Sequence, residues 1–210
     1  MFELDGLELS QGGRSLLGPL DLSLPTAARV VLAGPSGCGK STLLRVLAGL
    51  ERPAAGHVRF HGEPLLPGRL PAHRLRVHLV SQQPLLPGES LGEALVLGHR
   101  LRGLPPPDAD RLRGELAALG LSNLSLDQPP GGLSGGEAMR AAALRGLLLP
   151  VEHLLLDEPT TGLDDEAAAR LICRLSDPEL PPVLSASHDP RWWAACPTRL
   201  EFRAGRLHES

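Results

Sequence analysis

The sequence predicts an α/β fold: a mostly parallel sheet with helices, an antiparallel β subdomain ahead of it and a helical subdomain inserted into it. Three observations predict it. Arg29-Val30-Val31-Leu32-Ala33 is a short apolar run that leads into a glycine-rich loop and then a helix-like stretch, residues 41–50. A second apolar run, residues 153–156, follows a strong helix pattern at 138–149 that Pro150 stops. Between them the pattern changes, and proline-rich breaks flank two stretches of helical periodicity, 90–101 and 108–119.

The remaining elements follow in order. Residues 2–24 alternate loosely around Gly12-Gly13, which predicts short antiparallel strands joined by a turn. Residues 58–60 and 75–80 are strand patterns, with 64–71 as loop between them. Beyond the acidic pair at 157–158, residues 166–175 have helical spacing and 183–187 form a strand. Residues 200–207 close the chain as a hairpin turning at Ala204-Gly205. Strand, loop and helix in this order place ligands at the C-terminal ends of the parallel strands. With no internal repeat and no long linker, the chain reads as one domain: a core of about 1–83 and 146–210, and a helical subdomain of about 84–145.

Bulk properties exclude several classes. The 210 residues suffice for one sizeable core, and 42% are hydrophobic. A net charge of −3 is too small for a nucleic-acid binder acting through bulk electrostatics, so no nucleic-acid partner is expected. No apolar run reaches the roughly 18–20 residues that a membrane helix needs. Glu3 and Asp5 stand where a basic secretory leader would begin, and the three cysteines, Cys38, Cys173 and Cys196, form no spaced cluster. Both point to a reducing, cytoplasmic setting. The chain has no Tyr and a single lysine, Lys40.

That lysine lies in Gly34-Pro35-Ser36-Gly37-Cys38-Gly39-Lys40-Ser41, the pattern G-x-x-x-x-G-K-[ST] between a strand and a helix. The glycines let the backbone curl so that its N–H groups face phosphate oxygens, and the helix N-terminus adds positive potential. Lys40 supplies a point charge, and Ser41 offers a hydroxyl to Mg²⁺. Thr42 completes the candidate nucleotide ligands. A chance glycine turn would not also hold the chain's one lysine at the start of a helix.

Leu154-Leu155-Leu156-Asp157-Glu158 is an apolar strand that delivers two carboxylates at its tip. Asp157 suits Mg²⁺ and Glu158 suits the polarising of an attacking water as general base. Alone, this is equally a core strand ending in a charged turn; with the phosphate loop it becomes a functional pair.

Leu133-Ser134-Gly135-Gly136-Glu137 opens the helix that leads to the acidic strand, and Gly136 precedes Asp157 by 21 residues. By itself it is a flexible turn with a helix cap. In this order and spacing it resembles the signature motif of the ATP-binding cassette family, with Glu137 where that family usually has Gln. The resemblance extends over nearly the whole chain. Gln82, in Val80-Ser81-Gln82, is similar to the family's Q-loop residue, which contributes to Mg²⁺ and the water; Gln83 is adjacent, and Gln82 is preferred because it directly follows the strand. Thr161-Gly162-Leu163-Asp164 resembles the D-loop, which places Asp164 at a dimer interface. His188 resembles the switch histidine that senses the γ-phosphate.

The resemblance implies a P-loop ATPase with ATP and Mg²⁺ as cofactors, working as a homodimer in which Ser134, Gly135, Gly136 and Glu137 contact the partner's ATP. It implies a membrane-spanning permease as partner, a substrate-binding protein beside it, and a place on the cytoplasmic face of the cell membrane. The form of the phosphate loop is closer to prokaryotic importers than to exporters. Two rivals remain: a soluble cassette uncoupled from transport, which usually has long coiled coils or two cassettes per chain, and a small-molecule kinase, which leaves residues 133–137 unexplained. One position departs from the family. Its aromatic in the turn before the second strand is Gln11 here, in Ser10-Gln11-Gly12-Gly13-Arg14, so no ring stacks on adenine unless Phe2 or another aromatic folds over it.

Overall fold

Apolar residues at every second position pull the N-terminal segment into a sheet with one wet face. The computed structural model describes residues 1–24, 29–203 and 206–209. β1 (Phe2–Gln11) and β2 (Arg14–Ser23) pair antiparallel across Gly12-Gly13, whose positive φ values of 58° and 79° suit the tight hairpin turn that glycine permits. β3 (Arg29–Ala33) is buried throughout, and α1 (Lys40–Leu47) follows the glycine loop. β4 (Ala55–Phe60) and β5 (Glu63–Pro64) complete a four-stranded antiparallel sheet of order β2-β1-β4-β5.

The expected strand at 75–80 is corrected. A 3-10 turn (Pro67–Arg69) leads into α2 (Leu70–Arg76), and only then does β6 (Val77–Val80) begin. Pro71 sits in the first turn, where its missing N–H costs nothing, and buried His73 bonds the carbonyl of Leu47 at 2.7 Å. The loop expected at 64–71 is therefore mostly ordered structure.

The chain divides into two compact units. One comprises residues 1–79, 151–157 and 181–210; the other comprises 80–150 and 158–180. The second unit is helical: α3 (Leu91–Leu101), α4 (Ala109–Ala118), α5 (Gly135–Leu147) and α6 (Asp165–Leu175). Ser90, Asp108, Ser134 and Asp164 cap the four N-termini through their side chains. Helix α5 starts at Gly135 rather than the expected Ala138, because the Ser134 cap outweighs the poor helix propensity of two glycines. Arg174 on α6 grips Glu115 on α4 with two bonds of 3.0 and 3.1 Å, both side chains about a fifth exposed.

The first unit resumes with β7 (His153–Asp157), β8 (Val183–Ala186), a short α7 (Pro190–Ala194), β9 (Thr198–Arg203) and β10 (Arg206–Glu209). Helix α7 was not expected, and the predicted turn at Ala204-Gly205 lies outside the described residues. The six-stranded sheet runs β10-β9-β3-β8-β7-β6. β3 pairs parallel with both β8 and β9, and β7 pairs parallel with β8, so the ends of β3, β7 and β8 share one edge.

At the other edge a ring cluster holds the two sheets of this unit. Phe2 and Phe60 lie 4.7 Å apart, with the His153 ring edge-on to them at 5.3 and 5.4 Å. Burial pushes the His153 imidazole down to about 4, and the Met1 amino group and His61 push the same way. His73 is lowered too, again chiefly by burial. Below the ordinary histidine value of about 6.5 the unfolded chain gains a proton that folded His153 refuses, so stability falls as pH drops from about 6.5 to about 4. The expected loss from His153 is of the order of 2–3 kcal/mol. Thermal unfolding across that range should show a shallower acid decline for His153→Phe than for the parent; equal slopes would refute this origin.

Candidate nucleotide site

In the first unit the glycine loop closes on itself. Gly34 has a φ of 147°, and a Cβ there would stand 2.8 Å from the Cβ of Phe202, so no side chain fits. Lys40 opens α1 and is 7% exposed. Its Nζ donates to the carbonyls of Gly34 at 2.8 Å and Pro35 at 3.1 Å, which tethers the charge across the loop mouth. The start of α1 has no side-chain cap, whereas α3 to α7 all have one. Its first-turn N–H groups are thus left for an anion, which a helix N-terminus favours.

The next residue, Ser41, donates its hydroxyl to Oδ1 of Asp157 at 2.9 Å, across 116 residues of sequence. A hydroxyl and a buried carboxylate are hard oxygen donors that fit Mg²⁺. Among the described residues no group of three or more His, Cys, Asp or Glu side chains forms a metal cage. A Mg²⁺ ion held here would therefore take its remaining ligands from phosphates and water. Thr42 is buried behind the loop, its Oγ1 accepting from Arg45 at 3.2 Å. Cys38 is partly buried, Pro35, Gly37 and Gly39 belong to the loop path, and Ser36 is exposed. His188 stands just beyond β8 with an exposed side chain.

In the second unit Glu158 has a φ of 52°, a left-handed backbone unusual for a residue with a side chain. It is 7% exposed, and the Thr161 hydroxyl donates to its Oε2 at 3.2 Å. Ser134 caps α5 with a full capping box. Its N–H and hydroxyl both donate to Oε2 of Glu137, at 2.9 and 2.8 Å, while the Glu137 N–H donates back to Oγ at 3.3 Å. These bonds hold the Glu137 carboxyl below its usual range. A Cβ on Gly136 would meet Leu163 Cδ2 at 2.9 Å, so a side chain there would have to push that leucine tip aside.

A cavity of about 430 Å³ in this unit is lined by Gln82, Ser134, Gly135, Gly136, Thr161 and Asp164, among others; Gln83 is not on its wall. Asp164 itself caps α6, accepting from the Ala167 N–H at 2.8 Å. Arg140, also on the wall, was not singled out from the sequence. Its guanidinium donates to the carbonyls of Leu119 and Gly120 at 2.8 and 3.4 Å and to that of Gly136 at 3.3 Å, tying α5 to the end of α4. The available signal was its position one helical turn after Gly136.

Gln11 ends β1 opposite Arg14, and both are exposed. The alternative that Phe2 covers the base is corrected: Phe2 is 2% exposed and packs, tilted, against Phe60. Phe202 and Trp192 are buried as well. Base stacking on an aromatic is worth about 1–3 kcal/mol, whereas phosphate contacts are blind to the base. ATP and GTP should therefore bind within about 10-fold of each other, or about 1.4 kcal/mol, and Gln11→Tyr should tighten ATP by about 1 kcal/mol. Titration calorimetry with both nucleotides checks this; strong ATP preference untouched by Gln11→Tyr would place the base elsewhere.

A profile described as ABC transporter matches residues 17–161. The chain is 41% identical to the aliphatic sulfonates import ATP-binding protein SsuB 1 of Nocardia farcinica, over 89% of this chain and 71% of that one. It is 40% identical to the nickel import ATP-binding protein NikO of Rhodobacter capsulatus, over 79% and 68%. It is 36% identical to the Fe(3+) ions import ATP-binding protein FbpC of Mesorhizobium japonicum, over 77% and 45%. Among solved structures, the dimeric post-hydrolysis ATP-binding cassette MJ0796 bound to ADP and Pi superposes with a TM-score of 0.85 at 24% identity, over 100% of this chain and 98% of that one. An Atm1-family bacterial ABC exporter with ATP bound superposes equally well, at 23% identity, over 99% and 38%. At these identities the structural likeness establishes the fold.

Proposed function

The chain belongs to the ABC transporter family, and from that premise we propose how its residues bind and hydrolyse ATP. It is an ATP-binding, ATP-hydrolysing subunit that drives transport. The observation that carries the assignment of residues is the 2.9 Å bond between Ser41 and Asp157, beside a lysine already drawn over the phosphate loop. ATP lies with its phosphates against the N–H groups of residues 34–42, and Lys40 turns from the two loop carbonyls to the phosphate oxygens. Ser41 and Asp157 would hold Mg²⁺, which would neutralise charge on the phosphates, and family resemblance alone adds Gln82 to that role. Glu158 takes the proton of the attacking water, its carboxylate steadied by Thr161. His188 senses the γ-phosphate.

Ser134, Gly135, Gly136 and Glu137 close on the ATP of a second copy, with Asp164 at that interface. The N–H groups of Gly135 and Gly136 stay outside the Ser134–Glu137 capping box, which supports this reading. The homodimer works on the cytoplasmic face of the membrane, attached to a separate permease that receives substrate from a binding protein; among the described residues no helix is long and apolar enough to cross a bilayer. Import is the direction the relatives' names support. Those relatives, at similar identity, serve sulfonates, nickel and Fe(3+), so the cargo is not encoded in features the cassettes share.

Two substitutions test the reading. Lys40→Ala should abolish turnover, since the sequence has no other lysine to replace that charge. Glu158→Gln keeps the shape but cannot accept a proton, so it should bind ATP, lose hydrolysis by at least about 100-fold and accumulate dimers on size exclusion. Ser134→Arg added to it should return the protein to monomer. A Glu158→Gln protein that stays monomeric with ATP bound, or a Lys40→Ala protein with full activity, would overturn the assignment.

A further inference from the structure

The chain has two tryptophans, adjacent on α7, and they hold opposite things. Trp192 is fully buried, and its indole N–H donates to Ser185 Oγ at 2.6 Å; that hydroxyl donates in turn to the Val30 carbonyl of β3 at 3.2 Å. This pins α7 to the sheet. The Trp193 indole N–H instead donates to the carbonyl of Ser187 at 2.9 Å.

Ser187 lies past the end of β8 and is fully buried. Its N–H donates to the Leu32 carbonyl at 3.2 Å, and its Oγ accepts from the Asp189 N–H at 3.1 Å. Leu32 stands two residues before Gly34, where the phosphate loop begins. On the far side of His188, Asp189 caps α7, accepting from the Arg191 N–H at 2.9 Å and pairing with its guanidinium at 2.8 Å. His188 is thus an exposed side chain on a backbone clamped at both neighbours. A buried carbonyl past a strand end needs a donor, and the donor here is one side-chain N–H. Arg199 lies over the Trp193 ring at 5.3 Å, a ring contact separate from the N–H bond.

We propose that Trp193 is the positioning residue for His188: its indole N–H fixes the Ser187–His188 peptide, and so the direction from which the imidazole meets the γ-phosphate. This rests on the role given to His188 above. Trp193 touches no substrate; it acts on turnover through the peptide it holds.

Steady-state ATPase assays separate the possibilities. Trp193→Phe keeps a ring under Arg199 and removes only the donor. It should lower kcat about 3–10-fold, the range one neutral hydrogen bond supplies, with KM for ATP unchanged within about twofold. Arg199→Gln, which keeps the N–H, should retain the parental kcat. His188→Ala should lose turnover. Full activity in His188→Ala would overturn the role of that histidine; loss there, with parental kcat in Trp193→Phe, would overturn the positioning role alone. An equal fall in Arg199→Gln would also count against the N–H. Should Trp193→Phe not fold, indole ¹⁵N labelling of the Glu158→Gln protein decides: two N–H cross-peaks are expected, the slowly exchanging one from buried Trp192. ATP should move the Trp193 peak, and His188→Ala should remove that movement. A peak that stays still, or moves without His188, refutes the proposal.

Discussion

The hydrogen bond from Ser41 to Asp157 joins a loop and a strand 116 residues apart, and the chemistry of the site is arranged around it. It exists because β3, β8 and β7 run parallel and in register, which brings the loop after β3 and the tip of β7 to one edge of the sheet. Helix α1 starts at that edge with two consecutive residues doing different work. Lys40 reaches back over the loop carbonyls, and Ser41 reaches across to the carboxylate. Moving α1 by one residue would separate the positive charge from the bonded hydroxyl and carboxylate.

The same economy governs the helix ends. Helices α3 to α7 spend first-turn donors on Ser or Asp caps, whereas α1 follows Gly39, which has no side chain to cap it. The cap on α5 is of a special kind, since Ser134 gives both its N–H and its hydroxyl to Glu137. Both Ser134 donors are therefore taken by a carboxylate one turn away, and Arg140 fixes the helix that carries both.

Much of this was legible in the sequence because glycines, capping residues and apolar strands leave local signals. The phosphate loop, the apolar strand ending at Asp157, and helices α3, α4 and α6 follow from spacing alone. What escaped depends on contacts between distant residues. Pro71 and β-compatible residues give α2 the local signature of loop and strand, while burial of His73 against Leu47 holds it helical. Weak glycine propensity hides the first turn of α5, which the Ser134–Glu137 box holds helical. The left-handed backbone of Glu158 and the indole bond of Trp193 have no one-dimensional signature at all.

The central claim is that Ser41 and Asp157 form one Mg²⁺-dependent ATP site. The most direct measurement is a double-mutant cycle on ATP affinity, by titration calorimetry with and without Mg²⁺, using Ser41→Ala, Asp157→Asn and the pair. Mg²⁺ should tighten ATP in the parent, either substitution should remove most of that gain, and the double substitution should add almost nothing further. A Mg²⁺ gain that survives both changes, or losses that simply add, would contradict the claim.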